Sequence, residues 1–257
     1  MNVLVYHRVC AEEEAFRSTY VVSRSAFRRH LRALADGGYY TPRLGEALHG
    51  TPPSVHGRKP IMITFDDGYA DNYHNAFPLL HEHGFSAVIF LVADVTRRTN
   101  WWDTPLGVPA ADLLTPSQIR ELTAYGAEFG SHTMTHAGLP TLSDSLMKRE
   151  LVDSKDAIEQ ITGQEVVSFS YPYSHVTDRA KRGVREAGYD LAFAVNSGPF
   201  RFFADPLEIR RTNVTDAGEG RFKALKLSGA EKTLLWGWWL AKRATGVGPS
   251  FEIRRGY

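Results

Sequence analysis

Seven short apolar runs punctuate the chain, at Val3–His7, Ile61–Asp67, Ala87–Ala93, Glu128–His132, Val166–Tyr173, Leu191–Val195 and Glu208–Val214. They are rich in β-branched and aromatic residues, and several are apolar throughout, the pattern of strands buried on both faces. Between them apolar residues recur at helical spacing. Phe27, Leu31 and Leu34 predict one helix, with Ser25 as its cap and Gly37-Gly38 as its stop. Phe77, Leu79 and Leu80 predict a second that closes at Gly84. Thr115-Pro116 opens a third, and a longer one runs from Leu146 to Ile161 and ends at Gly163. Strand and helix in alternation predict a parallel sheet covered by helices. Seven such units are one short of the regular eightfold barrel, and no internal repeat stands out.

The 257 residues suit one such domain, and ordinary apolar and charged fractions exclude a disordered or collagen-like chain. With Cys10 alone, neither an intrachain disulfide nor a multi-cysteine zinc site can form, whereas ten histidines leave nitrogen ligands available. A net charge of +1 argues against a nucleic-acid partner. The N-terminal run is too short for a signal peptide, and no stretch approaches the roughly 18 apolar residues of a spanning helix. The expectation is a cytoplasmic protein, at most peripheral to a membrane surface.

In an α/β barrel, chemistry gathers at the C-terminal ends of the strands. The second run ends in Phe65-Asp66-Asp67-Gly68, the fourth in Gly130-Ser131-His132, the fifth in Tyr171-Pro172-Tyr173, and the first in Tyr6-His7. Two adjacent carboxylates after an apolar strand are costly unless a cation compensates them. The alternative is a turn in which Asp67 caps the helix beginning near Tyr69. His132 and His136 stand four apart, able to converge on one ion across a tight strand-to-helix connection. A carboxylate and two imidazoles leave coordination positions open and suit Zn²⁺ best, though other first-row metals fit the same set. The spare carboxylate makes this the layout of a metal-assisted hydrolase.

On Thr64-Phe65-Asp66-Asp67-Gly68, His132-Thr-Met-Thr-His136 and Ser170-Tyr171-Pro172-Tyr173-Ser174, the chain resembles the polysaccharide deacetylases, carbohydrate esterase family four. The opening Tyr6-His7-Arg8-Val9 is similar to a subgroup often found beside exopolysaccharide genes. The resemblance spans about residues 3 to 214 and implies a distorted (β/α)7 barrel. It implies Asp66 as general base, Asp67, His132 and His136 as metal ligands, and Tyr173 as an oxyanion donor through its backbone N–H. The implied reaction removes the N-acetyl group of an amino sugar in a polysaccharide, oligosaccharide or lipid-linked glycan precursor.

Two departures from the family pattern bear on mechanism. Ser170 stands where an arginine usually orients the catalytic aspartate, and Arg210 and Arg211 are the candidates to replace it, with Arg211 favoured. No histidine follows His175, so His7 or His175 is left as general acid, His7 being preferred. Trp101, Trp102 and Asp103 fall in a loop on the same face, suited either to sugar rings or to packing beneath the loop. The chain is expected to divide into a barrel over 1–220 and a tail over 221–257. The tail holds eight Lys or Arg against two Glu, with Trp236, Trp238 and Trp239. It reads as a closing helix or as a peripheral membrane contact. Two other functions compete with the deacetylase: a metal-independent amidohydrolase acting on a small cyclic amide, and a non-catalytic carbohydrate-binding relative.

Overall fold

The computed structural model describes residues 1–12, 20–106, 109–195, 204–216 and Phe222. The tail over 221–257, Phe222 apart, therefore lies outside the described residues. Strand β1 (Asn2–Tyr6) is followed by two short strands, β2 (Arg8–Cys10) and β3 (Val21–Ser23). Helix α1 (Arg24–Asp36), β4 (Tyr39–Tyr40), α2 (Leu44–Ala47) and β5 (Lys59–Phe65) come next. A π-helical turn at Asn72–Ala76 leads into α3 (Phe77–Glu82), then β6 (Val88–Leu91), α4 (Pro116–Ala124) and β7 (Glu128–Ser131). The chain continues through α5 (Asp144–Thr162), β8 (Ser168–Ser170), α6 (Asp178–Glu186), β9 (Leu191–Val195) and β10 (Ile209–Asn213).

Seven parallel strands, β1 and β5 to β10, close into a barrel, because β1 pairs with β5 on one side and with β10 on the other. All seven coincide with the apolar runs of the sequence. The architecture is a single-domain (β/α)7 barrel. Three short strands were not expected. β2 and β3 pair in parallel beside the barrel, and β4 extends the start of β5.

Side-chain alternation explains where the polar layer falls. Val3, Met62, Val88, Phe90, Leu191, Phe193 and Ile209 form one apolar cluster inside the ring, with Leu44 and Ala47 packed on it. Counting on by two from Met62 gives Thr64 and then Asp66, and from Ile209 gives Arg211. The lumen therefore changes from apolar to polar towards the C-terminal ends of the strands. A larger cluster between strands and helices, including Leu4, Phe27, Leu34, Phe65, Ile89, Leu151 and Phe169, forms the outer core.

The helix ends follow the sequence with one correction. Ser23, not Ser25, caps α1, accepting from the Ala26 N–H at 3.2 Å. Thr115 and Gln118 make a capping box at α4, and α5 ends at left-handed Gly163. Among the described residues, no helix is long and apolar enough to cross a membrane.

Candidate active site

The site begins where β5 ends. Asp66 and Asp67 are both buried, and Asp67 takes a left-handed backbone conformation (φ 72°) followed by left-handed Gly68 (φ 77°). The turn that presents Asp67 favours glycine at 68 for its positive φ. Asp67 caps no helix. Its Oδ1 is buried without a hydrogen-bond partner among the described residues, and the helical turn downstream starts without it.

His132 follows β7 and His136 follows a loop, not a helical turn. Thr133 (φ 69°) and His136 (φ 61°) are both left-handed, and this reverses the chain between the two imidazoles. Their Nε2 atoms lie 3.4 and 3.3 Å from Asp67 Oδ1. His132 Nδ1 is 2.7 Å from the Ser170 carbonyl, which only accepts, so Nδ1 carries the proton and Nε2 turns its lone pair towards Asp67. Burial pulls the His132 pKa down to about 4, so the ring is neutral near pH 7. His136 Nδ1 lies 3.0 Å from the Tyr173 hydroxyl. A carboxylate oxygen with no donor, faced by imidazole nitrogens, is the donor set of a divalent cation. The three groups offer ligand atoms within 4.8 Å of one another.

Asp66 faces a different partner. Arg211 Nη1 and Nη2 reach its Oδ1 and Oδ2 at 2.7 and 2.6 Å, a bidentate pair buried inside the barrel. Ser170 completes the arrangement, accepting from Arg211 Nη2 at 2.8 Å and donating to Asp66 Oδ2 at 3.3 Å. Burial pushes the Asp66 carboxyl up, but Arg211 and His132 outweigh it and hold it below the ordinary carboxylate value. Arg210, one residue away, is also buried but makes no approach to Asp66 among the contacts described.

The remaining candidates divide. His7 is half-buried near Asp66, Asp67 and Asp103, and each of these carboxyls feels its charge. The His7 ring meets Tyr20 edge-on at 4.7 Å, and its Nδ1 is buried with no partner among the described residues. His175 is exposed, its ring 5.5 Å from that of Tyr173. Tyr173 sits in a left-handed turn (φ 57°), and burial followed by the charges of Asp103 and Asp67 raises its hydroxyl to about 12. Trp102 is buried, not an exposed platform: its ring stacks on His136 at 4.7 Å between centroids. Trp101 is half-buried beneath Arg97. The Trp102 stack and the Tyr173 hydroxyl contact were not foreseen, and their only sequence signal was position on the active face.

Comparison with known proteins places the chain among polysaccharide deacetylases. YxkH of Bacillus subtilis strain 168, provisionally named a polysaccharide deacetylase, is 28% identical over 199 residues, covering 77% of this chain and 65% of that protein. The poly-beta-1,6-N-acetyl-D-glucosamine N-deacetylase of Escherichia coli K12 is 27% identical over 234 residues, covering 75% of this chain and 33% of that protein. The chain thus spans less than two thirds of either relative. The solved structure of the Streptococcus pyogenes deacetylase PplD in complex with acetate superposes with a TM-score of 0.70 at 25% identity, covering 84% of this chain and 92% of that one. Residues 54–192 match the polysaccharide deacetylase family itself, and the chain belongs to that family.

Proposed function

We propose that this protein is a metal-dependent hydrolase that removes acetyl groups from the amino sugars of an N-acetylated glycan. The observation that carries the reading is the convergence of Asp67, His132 and His136 beside a separate, arginine-held Asp66. Asp67 Oδ1 and the Nε2 atoms of His132 and His136 would hold the cation, Zn²⁺ by donor type. When bound, the cation supplies a Lewis acid for the amide carbonyl and lowers the pKa of water.

The chain's own groups do the rest. Asp66 Oδ2 has both lone-pair positions engaged, by Arg211 and Ser170, whereas among the described residues Oδ1 accepts only from Arg211. Oδ1 is the atom left to take a proton from the attacking water. Arg211 keeps Asp66 ionised and fixes the direction of that lone pair. The Tyr173 backbone N–H, on the turn against His136, is the donor for the oxyanion. His7 Nδ1, without a partner among the described residues, would protonate the departing amine. Water adds to the carbonyl, the C–N bond breaks, and acetate and a free amino sugar leave.

The test pairs metal content with acetate release from N-acetylhexosamine oligosaccharides, for wild type, Asp66→Asn and His132→Ala. About one metal per chain and acetate release lost in both variants is expected. A wild type that takes up no metal after reconstitution overturns the mechanism and favours the metal-independent amidohydrolase or the carbohydrate-binding relative.

A further inference from the structure

The loop between the two histidines turns through two left-handed residues, Thr133 and His136, neither of them glycine, and such conformations persist only when the surroundings enforce them. The backbone N–H groups of Thr133, Met134, Thr135 and Ala137 donate to side chains. Ser131 Oγ accepts from Thr133 N–H at 3.1 Å, and Thr133 Oγ1 accepts from Ala137 N–H at 3.1 Å. The N–H groups of Met134 and Thr135 converge on one carboxylate. Glu150 Oε2, on α5, accepts from Met134 N–H at 2.8 Å and Thr135 N–H at 2.9 Å, while its Oε1 accepts from the Thr135 hydroxyl at 2.7 Å. On the opposite side, the Ala93 and Asp94 N–H groups donate to the Thr133 and Met134 carbonyls, both at 3.0 Å.

We infer that Glu150 is a positioning residue for the metal centre, its carboxylate holding the Met134-Thr135 backbone so that His132 and His136 present both Nε2 atoms to Asp67. This rests on the metal reading of the site. Charge-assisted bonds from a carboxylate to consecutive backbone amides are short and directional, and three of them to two adjacent residues set the position of that segment. His136 comes immediately after Thr135, so loss of the clamp relaxes the strained turn at the second imidazole first. Glu150 touches neither cation nor substrate and acts only through the loop.

The experiment measures the dissociation constant for Zn²⁺ by competition with a chromophoric chelator, and the absorption spectrum after Co²⁺ substitution, in the full chain. The variants are Glu150→Ala, Glu150→Gln and a control, Glu159→Ala. Glu159 lies on the same helix and accepts from Val166 N–H at 2.9 Å, away from the histidine loop. Glu150→Ala is expected to weaken Zn²⁺ binding by about 10–100-fold, the range for groups that orient metal ligands, and to alter the Co²⁺ spectrum. Glu150→Gln, which keeps an acceptor oxygen, falls between it and wild type, and Glu159→Ala binds as wild type does. If Glu150→Ala does not fold, Glu150→Gln decides alone, by a raised dissociation constant with an altered spectrum.

Unchanged affinity in the folded Glu150 variant overturns the inference, as does equal weakening in Glu159→Ala, which marks general destabilisation. A wild type that binds no metal overturns it together with the mechanism proposed above. Metal bound tightly by wild type without acetate release removes only the deacetylase reading, and the affinities still decide the part played by Glu150.

Discussion

Arg211 and Asp66 meet as a fork pair, with contacts of 2.7 and 2.6 Å, from the two strands that flank β1 in the barrel. Removing one partner leaves a buried charge with no compensation. Arg211→Ala is expected to destabilise the protein by about 3–5 kcal/mol in urea unfolding. Arg211→Lys keeps a charge but not the fork, and its kcat is expected to fall on the order of a hundredfold as the carboxylate loses its orientation. A lysine variant with wild-type kcat sinks the orienting role.

Acid should destabilise the metal-free protein in two stages. The folded His132 pKa, lowered to about 4 by burial, lies below the ordinary value near 6.5. Between those values the unfolded chain binds a proton that the folded chain does not, so stability falls as pH drops from about 6.5 towards 4. Asp66, with its pKa also lowered in the fold, adds a loss below about pH 4, as its ionised form gives up Arg211. Thermal midpoints against pH in chelator should show a shallower slope between pH 4 and 6.5 for His132→Gln. An unchanged slope contradicts the buried neutral imidazole.

His7 can be separated from the metal ligands. His7→Gln is expected to retain its metal while kcat falls by about 10²–10⁴-fold, the usual contribution of a general acid. A fall within twofold removes His7 from the reaction and turns attention to His175.

Tyr173 meets His136 through its hydroxyl. Tyr173→Phe removes the partner of His136 Nδ1 and is expected to weaken Zn²⁺ binding about tenfold, the low end for such groups, since this rim position lets water take its place. Equal affinities in a chelator competition mean that the contact does not tune the ligand.

All seven barrel strands were legible because strands covered on both faces must be apolar throughout. The strand ends then located Asp66, Asp67, His132 and His136, and favoured Arg211 over its neighbour. Other features left little trace. β2 and β3 are three residues each and are held by pairing across the chain, not by a pattern of their own. Ser23 and Ser25 are equally good caps by composition, and only the backbone distinguishes them. The tight connection between His132 and His136 was expected, but its left-handed turns at Thr133 and His136 are imposed by tertiary hydrogen bonds against local preference and left no trace in the spacing. Trp102 against His136 is a matter of packing, which residue type alone does not disclose.

The closure of the barrel through β1 has a consequence for the order of assembly. Asp67, His132 and His136 come from one continuous stretch of chain between β5 and the loop after β7. Asp66 cannot be buried as an ion until β10 arrives, since its counter-ion is 145 residues away. A chain that ends before Ile209 keeps Asp67, His132 and His136 but lacks the arginine. On the mechanism proposed above, the groups that would hold a cation and the arginine that orients the base therefore enter the chain at different stages of its synthesis.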